Sequence, residues 1–287
     1  MRIAIVGLGL IGGSIGLGLR RSYVRGQLSD VIVGIPRRKK TIAEAITLGA
    51  IDEGTLDIKE GVAGADVVLL CTPISLIIPK LKELVPALKK GAIVSDVGSV
   101  KSEIVAAAAA LMPAGTFFVG GHPMAGKEQV KLEAAEADLL TDKVYILTET
   151  PQTNKPALKI MTEVVTALRG KVVKMDPMTH DLVVAAVSHA PLAIAAALVN
   201  SVAETSLAYP QVKSCAASGF KDTTRIASGD PVLGVDMFTA NKLGVLASIG
   251  AFRVALGKLE KAIQAEDKAA ISKLLAQAKN FRDDLYQ

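Results

Sequence analysis

Three histidines occur in the sequence, and His122 has the surroundings expected of a catalytic base. It lies in the segment FFVGGHPMAG, directly after an apolar run, and the glycines on both sides of it leave room for a ligand. An imidazole with a pKa of about 6.5 is well matched to taking a proton from a hydroxyl group at neutral pH. The alternative interpretation is a surface histidine in an ordinary loop.

His180 and His189 lie on or near a long apolar stretch with helical character. Helix geometry would separate Asp181 from His189 by about 12 Å along the axis and about 80° of rotation. We therefore expect these two side chains to line one groove without a direct hydrogen bond. For His189 the alternative is a buried core histidine whose hydrogen bonds are satisfied inside the fold.

Two further segments carry side chains that could act on a substrate. Ser99, in SDVGSVK, stands where a serine can cap a helix N-terminus, face a ligand or do both, and the nearby Lys101 is interpreted as a solvated cation. Asp222 and Arg225 stand three apart, so a helix would place them on one face. There the arginine would either hold a substrate carboxylate or pair with the aspartate at the surface. The scattered histidines and two distant cysteines have no usual metal-ligand spacing, so no metal site is predicted.

The N-terminal segment RIAIVGLGLIGG predicts a binding site for a dinucleotide. Gly7, Gly9 and Gly12 have G-x-G-x-x-G spacing between an apolar run and a helical stretch, which is the context that strengthens this motif. Gly7 would make the turn out of the strand, Gly9 would let the backbone approach a pyrophosphate, and Gly12 would let the helix pack close to the sheet. A glycine-rich turn without a ligand is the alternative.

The residues after the second apolar run, 31–35, favour NADP over NAD. An NAD enzyme with this motif usually has an acidic residue at the end of its second strand, where it binds the ribose 2′-hydroxyl. Here the run is followed by Pro36, Arg37, Arg38, two lysines and Thr41. Because a guanidinium matches the geometry of a 2′-phosphate, we expect Arg37 to be the main contact, with Arg38 and Thr41 contributing. A basic surface turn is the alternative.

Short apolar runs alternate with helical stretches in the first part of the chain, which predicts a parallel sheet covered on both faces. The expected fold class is an α/β N-terminal Rossmann domain, doubly wound around a mostly parallel sheet. The predicted strands are 2–6, 31–35, 66–72, 92–97, 117–121, 143–148 and 171–175, and the clearest early helices are 41–49 and 75–90.

After Asp176 the sequence becomes rich in alanine and leucine, which predicts an all-α C-terminal domain. We expect residues 1–150 to form the NADP-binding domain, with a last strand or two that extend it to about 176. Residues 177–287 would then form a helical domain for substrate binding and dimerisation. The predicted helices are 177–209, 211–228, 231–264 and 266–285.

One segment of the helical part, 182–203, has no charged residue and is long enough to span a bilayer. It also contains Ser188, Pro191 and Asn200, which makes a membrane span the weaker interpretation. We predict a helix buried on all sides, either in a domain core or in a subunit interface, and a homodimer that does not associate with a membrane.

The composition bounds the class of protein. The 287 residues are 50% hydrophobic and 21% charged, which excludes a disordered chain and is enough for two domains. Two cysteines do not make a disulfide framework, and the N-terminus shows no secretory or transit signal, so a cytoplasmic location is expected. The formal net charge of +5 suits an anionic small molecule. Nucleic acid is not expected as a partner, because no long basic stripe with interleaved aromatic residues occurs.

Six segments, taken together, are specific enough to suggest a family. They are VGLGLIGGS near the N-terminus, LCTPI at 70–74, SDVGSVK at 95–101, GGHPMAG at 120–126, HDLVVAAVSHAP at 180–191 and SGFKDTTRIASGDP at 218–231. In these segments the chain resembles the prephenate/arogenate dehydrogenase family of tyrosine biosynthesis over nearly its whole length. The resemblance implies NAD(P)-dependent oxidative decarboxylation by a Rossmann domain joined to a helical dimerisation domain.

The resemblance also implies how the reaction proceeds. His122 would remove the proton of the ring hydroxyl, assisted by Ser99, while the ring carbon that bears this hydroxyl gives hydride to the nicotinamide. The resulting dienone would lose CO2 and become aromatic.

Further site residues are implied in the same way. Arg225 would hold a substrate carboxylate, with Asp222 and Asp181 shaping the pocket. His189 stands in SHAP where the family often reads SHLPH, so Leu192 replaces the second histidine and the contact it would supply. The implied cofactor contacts are Gly7, Gly9, Leu10, Ile11, Gly12, Pro36, Arg37, Arg38, Thr41, Thr72 and Pro73.

The pattern is closest to the NADP-using cyanobacterial-type enzymes, which predicts arogenate as the substrate and tyrosine as the product. Prephenate, giving 4-hydroxyphenylpyruvate, is the alternative. Two other classes are a two-domain reductase of the β-hydroxyacid or imine-reducing type and a nucleotide-sensing protein without catalysis. TANK at 239–242 resembles a helix of such reductases, but GGHPMAG does not fit them.

Overall fold

The structure is a computed structural model that describes residues 1–23, 31–127 and 131–286. Strands alternate with helices as far as Met175, and the described elements from Pro177 onward are helical. The strands are β1 (Arg2–Val6), β2 (Val31–Ile35), β3 (Glu53–Gly54), β4 (Val67–Leu70), β5 (Ile93–Asp96), β6 (Phe117–Val119), β7 (Gly121–Pro123), β8 (Val144–Thr148) and β9 (Lys171–Met175). The helices are α1 (Leu10–Tyr23), α2 (Lys39–Leu48), α3 (Ile58–Val62), α4 (Ile74–Leu84), α5 (Ser102–Leu111), α6 (Lys155–Ala167), α7 (Pro177–Val184), α8 (Ala190–Ala208), α9 (Val212–Cys215), α10 (Ser218–Thr224), α11 (Pro231–Ala240), α12 (Lys242–Gln264) and α13 (Lys268–Leu285).

Six strands form one parallel sheet in the order β3-β2-β1-β4-β5-β6, which confirms the doubly wound Rossmann prediction. The central strand β1 lies between β2 and β4, with Ala4 opposite Val33 and Val68. Successive residues of β1 point to opposite faces of the sheet, and both faces are buried. Ala4 belongs to one apolar core cluster and Ile5 to the other, as expected of a sheet with helices on both sides.

The sequence pattern suggested that the last two predicted strands continue this sheet, but they do not. These two strands, β8 and β9, form a second sheet with β7 in the order β7-β8-β9, in which β7 is antiparallel to β8 and β8 is parallel to β9. The chain leaves β6 at Val119 and starts the short β7 two residues later, where His122 pairs with Ile146. His122 therefore lies in a strand rather than in a loop.

The glycine-rich turn after β1 has the predicted form. Gly7 has a φ of +99°, a backbone conformation that side chains rarely adopt. A Cβ atom on Gly12 would lie 2.0 Å from the carbonyl oxygen of Gly7, so only glycine fits there. Helix α1 begins at Leu10, beside the point between β1 and β4 where the strand order reverses, and this crevice is where ligands of such folds bind.

Two of the predicted C-terminal helices are divided. The stretch 231–264 is two helices, α11 and α12, that meet at Asn241 with a bend of 96°. The side-chain amide of Asn241 donates to the backbone carbonyl of Asp181, so the bend places this residue against α7. The stretch 211–228 is divided because Ala217 has an extended backbone between α9 and α10, and it ends in a 3₁₀ turn at Arg225–Ser228.

Helices α7 and α8 form one apolar helix of 32 residues, Pro177–Ala208, with a π-helical turn at Ala185–His189. It is long and apolar enough to cross a membrane, with a mean hydropathy of 2.2 in a window of which 28% is buried inside the chain. Leu182 and Val187 are 53% and 63% exposed, so the prediction of a helix buried on all sides in a domain core is wrong. Of the two predicted locations, a subunit interface is the one consistent with so large an exposed apolar face, because such faces mark interaction sites.

The interpretation of Lys101 as a solvated cation is also wrong, because its side chain is fully buried. Its Nζ pairs with the carboxylate of Asp96, at the end of β5, and donates to the carbonyl oxygen of Gly121 at 2.9 Å. The second oxygen of Asp96 accepts the N–H of Gly121 at 3.2 Å. Burial lowers the pKa of Lys101, although Asp96 favours its charged form. This ion pair holds β7, and with it His122, against the end of the first sheet.

The Lys101–Asp96 pair predicts a large loss of stability when one partner is removed. Lys101→Met should lower the free energy of unfolding by about 3–5 kcal/mol, because it leaves the charge of Asp96 buried without a partner. Adding Asp96→Asn should recover part of the loss. Lys279→Met, which removes an exposed i,i+4 partner of Asp283, is the control and should change little. Urea unfolding measures all three, and a Lys101→Met loss no larger than that of the control would contradict the prediction.

Candidate active site

His122, His180 and Asp181 form a hydrogen-bonded chain between the second sheet and the first helix of the helical part. Nδ1 of His122 lies 2.8 Å from Nε2 of His180, and Nδ1 of His180 lies 2.8 Å from Oδ1 of Asp181. His180 is fully buried, and His122 is 7% exposed. The arrangement suits an imidazole that exchanges a proton while a second imidazole and a carboxylate hold it in place.

The local sequence explains why helix α7 begins where it does. The carboxylate of Asp176 accepts the N–H groups of Met178 and Thr179, each at 3.0 Å, and Pro177 occupies the first helical position. His180 and Asp181 follow within this first turn and a half. The cap therefore fixes the position of both side chains relative to the strand that carries His122.

Asp181 also caps helix α5, from a different part of the fold. Its Oδ1 accepts the N–H of Lys101 at 2.7 Å, and its Oδ2 accepts the N–H of Ser102 at 2.9 Å. Burial raises the pKa of Asp181, but hydrogen bonds from His180, Ser102 and Lys101 outweigh it and bring the pKa below its usual value. The group is therefore ionised at neutral pH, and its charge lies at a helix N-terminus, where a negative charge is stabilised.

The surroundings of His122 keep its imidazole neutral. Burial is the largest cause of a pKa well below the usual value of this residue, and the nearby His180 and Lys101 lower it further. His189 acts in the same direction, whereas Asp181 raises the pKa. A neutral imidazole is the form that accepts a proton.

His189 is fully buried and ends the π-helical turn. Its Nδ1 lies 3.2 Å from Nδ2 of Asn241, the same amide nitrogen that donates to the carbonyl of Asp181 at 2.7 Å. Asn241 therefore joins Asp181 and His189, between which no direct hydrogen bond was expected. Because an amide nitrogen only donates, Nδ1 of His189 is the acceptor and the proton is on Nε2. Among the described residues this Nε2 is buried without a partner, which leaves a donor for a ligand.

The crevice at the carboxyl edge of the first sheet fits a dinucleotide. Thr72 follows β4 and Ser99 follows β5, and within the described residues both hydroxyl groups are buried without a hydrogen-bond partner. The N-terminus of α1, with the close approach at Gly12, supplies backbone N–H groups for a pyrophosphate. The interpretation of Ser99 as a helix cap is wrong, because α5 begins three residues later and is capped by Asp181.

The basic turn after β2 lies at the same edge of the sheet. Pro36 is buried, Arg37 and Arg38 are exposed, and Thr41 is half-buried in the first turn of α2. This first turn has no acidic residue and no side-chain cap, so a phosphate here would meet guanidinium groups and backbone N–H donors.

The pair of Asp222 and Arg225 lies apart from the buried cluster. Asp222 lies in α10 and Arg225 directly follows it, both with exposed side chains, in a segment that packs against α8. Asp222 is outside the hydrogen-bonded network of the described residues, and its role stays a prediction, as does that of Arg225. Leu192 packs against the core cluster that contains Met237.

The sequence did not predict the roles of four residues of this cluster, which are His180, Asn241, Lys101 and Asp96. A signal existed for His180, because it stands beside Asp181 and close to the start of the helix predicted from residue 177. Asn241 and Lys101 gave no such signal, since Asn241 bonds to a residue 60 positions away and Lys101 bonds to Gly121, 20 positions away. The parts of the chain that the structure describes contain no group of three or more histidine, cysteine or acidic residues placed to hold a metal ion.

Comparisons with known proteins cover both parts of the chain. Residues 15–174 match the family model described as "Prephenate dehydrogenase, nucleotide-binding domain". Residues 176–277 match that described as "Prephenate dehydrogenase, dimerization domain". The prephenate dehydrogenase of Bacillus subtilis is 34% identical over 284 residues, which are 99% of this chain and 76% of the relative.

Two solved structures are similar over almost their full length. The prephenate dehydrogenase of A. aeolicus, in complex with hydroxyphenyl propionate and NAD+, is 35% identical with a TM-score of 0.91, covering 99% of this chain and 98% of that one. Synechocystis arogenate dehydrogenase is 36% identical with a TM-score of 0.86, covering 99% of this chain and 100% of that one.

The histidine cluster predicts a loss of stability in mild acid. Burial lowers the pKa of His189 to about 4, with a smaller opposing effect of Asp181, whereas an unfolded histidine titrates at about 6.5. Between these values the unfolded chain binds more protons, so the free energy of unfolding should fall as the pH falls from about 6.5 to about 4. His122, whose pKa is also lowered, adds to the same slope.

Histidine NMR titration and urea unfolding at several pH values measure both effects. The slope should be smaller in His189→Gln, which cannot take up the proton. A His189 resonance that titrates above about pH 6 would contradict the prediction.

Proposed function

The chain belongs to the prephenate dehydrogenase family of NAD(P)-dependent oxidoreductases, and we propose that it converts arogenate to tyrosine by oxidative decarboxylation with NADP. The observation that carries this proposal is the position of His122, which lies beside the carboxyl end of β5 and is hydrogen-bonded at Nδ1 to the buried His180. Membership of this family sets aside the β-hydroxyacid and imine-reducing classes.

We propose that His122 takes the proton of the substrate's ring hydroxyl. With Nδ1 engaged by His180, Nε2 is the atom left to accept it. The bound nicotinamide would supply the acceptor for the hydride that leaves the same carbon. Ser99, whose buried hydroxyl lacks a partner among the described residues, would bond to the substrate hydroxyl or to His122 and fix their separation. Loss of CO2 makes the ring aromatic, so the protein need supply little help to that step.

The substrate would be held by the remaining predicted residues. The exposed guanidinium of Arg225 suits a carboxylate of the substrate, with Asp222 beside it. The Nε2–H of His189 is a neutral donor for a further acceptor atom of the ligand. Asp181 contributes indirectly, because its two oxygens already accept hydrogen bonds from His180 and the start of α5.

The choice of arogenate rests on the resemblance to Synechocystis arogenate dehydrogenase, at 36% identity with full coverage of that chain. Prephenate is the second candidate, because the B. subtilis and A. aeolicus relatives carry that name at 34% and 35% identity. The two substrates differ in an amino or a keto group on the side chain.

We also propose a soluble, cytoplasmic homodimer. Support comes from the exposed apolar face of Pro177–Ala208 and from the match of residues 176–277 to a dimerisation domain. A second copy of the same helix would cover this face without requiring a lipid environment. We keep the domain division proposed from the sequence, with the NADP-binding part within residues 1–176.

The role of His122 predicts the effect of a single substitution. His122→Asn should lower kcat with arogenate and NADP about 10²–10⁴-fold, because that is the usual contribution of a general base. Absorbance of the reduced nicotinamide measures turnover with arogenate and prephenate in parallel. NADP binding, followed by fluorescence titration, should be unchanged and serves as the control. A variant that keeps more than a third of the wild-type kcat would exclude His122 as the base, and an inactive wild type with both substrates would refute the proposed reaction.

The basic turn predicts a preference for NADP. One or two guanidinium–phosphate bonds, at about 1.5–3 kcal/mol each, imply a kcat/KM ratio of NADP over NAD of about tenfold to a thousandfold or more. Arg37→Asp should reduce this ratio strongly, since it removes the main contact and adds repulsion. Lys90→Asp makes the same charge change at an exposed position before β5, on the opposite edge of the sheet, and should leave the ratio unchanged. Equal or higher kcat/KM with NAD in the wild type would overturn this proposal.

A further inference from the structure

We propose that His180 is a positioning residue that accepts the Nδ1–H of His122 and so fixes the tautomer in which Nε2 of His122 takes the substrate proton. The inference rests on the proposed function, in which His122 is the base. It concerns how the fold makes that nitrogen, and not the other, available to the substrate.

The direction of these hydrogen bonds is set first at the carboxylate of Asp181. An ionised carboxylate only accepts hydrogen bonds, and this one already accepts two from the backbone at the start of α5. The ring nitrogen that faces it, Nδ1 of His180 at 2.8 Å, must therefore carry a proton. The negative charge of Asp181 therefore fixes the direction of this hydrogen bond, with His180 as the donor.

The second hydrogen bond follows from the first. A neutral imidazole carries one proton, so His180 with its proton on Nδ1 presents a lone pair at Nε2. That atom lies 2.8 Å from Nδ1 of His122, which must then donate. The neutral His122 thus has its own proton on Nδ1 and a lone pair on Nε2, which is the form required of a base.

The packing prevents the hydrogen bonds between His122, His180 and Asp181 from rearranging. His180 is fully buried in a capped helix, and the strand that carries His122 is tied to the first sheet by Asp96 and Lys101. The two imidazole rings meet edge to face at 65°, with their centroids 5.1 Å apart, a geometry compatible with one hydrogen bond between ring edges. A rotation of either ring would break a buried hydrogen bond without providing another.

The same chain stabilises the protonated base. When Nε2 of His122 takes the substrate proton, the imidazolium still donates through Nδ1 to His180. The negative charge of Asp181 lies directly beyond. No proton needs to move along the chain, since His180 acts by orientation and by its lone pair.

Two substitutions at His180 separate positioning from packing. In His180→Gln the amide oxygen can occupy the place of Nε2 and accept the Nδ1–H of His122, whereas the side chain of His180→Met fills similar space without an acceptor. We expect His180→Met to lower kcat about 10²–10³-fold with KM changed less than about threefold, a loss of the kind seen when a base is held in the wrong tautomer. His180→Gln should recover at least about tenfold of that loss.

Nitrogen-15 NMR of histidine-labelled protein reads the tautomer directly. The wild type should show His122 protonated at Nδ1 and unprotonated at Nε2 at neutral pH, and His180→Met should lose this fixed state. A wild-type spectrum with the proton of His122 on Nε2, or a doubly protonated His180, would overturn the proposal even if neither variant folds. So would a folded His180→Met that turns over within threefold of the wild type.

The outcomes also distinguish this inference from the function on which it rests. If His122→Asn abolishes turnover while His180→Met does not, positioning by His180 is wrong and the base is retained. If His122→Asn remains active, the proposed function loses its base whatever happens at His180. NADP affinity and the thermal unfolding midpoint of each variant identify a loss of activity that comes from misfolding.

Discussion

The ionised carboxylate of Asp181 is the group on which the rest of the site depends. It accepts the first N–H groups of α5, which belongs to the α/β part, and it orients His180 in the first helix of the helical part. The backbone carbonyl of the same residue accepts from Asn241, where two further helices meet. Burying a charge is costly, and here three donors to the carboxylate offset that cost. A single residue thus joins the two parts of the chain and sets the direction of the hydrogen bonds between its histidines.

The Asp96–Lys101 ion pair also holds His122 in place, through the backbone of the neighbouring Gly121. It binds both the N–H and the C=O of Gly121, the residue directly before the histidine. His122 is therefore held through its backbone by one buried ion pair and through its ring by a second buried network. Both sets of interactions include charged groups that are buried, where hydrogen bonds are electrostatically stronger than in water.

Local patterns predicted much of the architecture, and long-range pairing was the part they could not supply. The apolar runs gave the strands almost to the residue, because a buried parallel strand reads as a continuous apolar stretch. The turn at Gly7 and Gly12 was predictable, since each glycine answers a steric demand of its immediate neighbours. Lys101 could not be recognised as buried, because its environment is made by Asp96 and by a strand that folds back twenty residues later. The bend at Asn241 was missed for the same reason, as the residues that use its amide lie in another helix.

The exposed apolar face of Pro177–Ala208 has a consequence for how the protein responds to dilution. If a second copy covers this face, folding and association are one equilibrium, and the measured stability includes the protein concentration. Each tenfold dilution would then remove about 1.4 kcal/mol from the folded dimer. Because Asp181 and His189 lie on this same helix, the geometry around the base would weaken along with the assembly. At low copy number, the concentration of the protein would itself determine what fraction of it is folded, dimeric and able to catalyse the reaction.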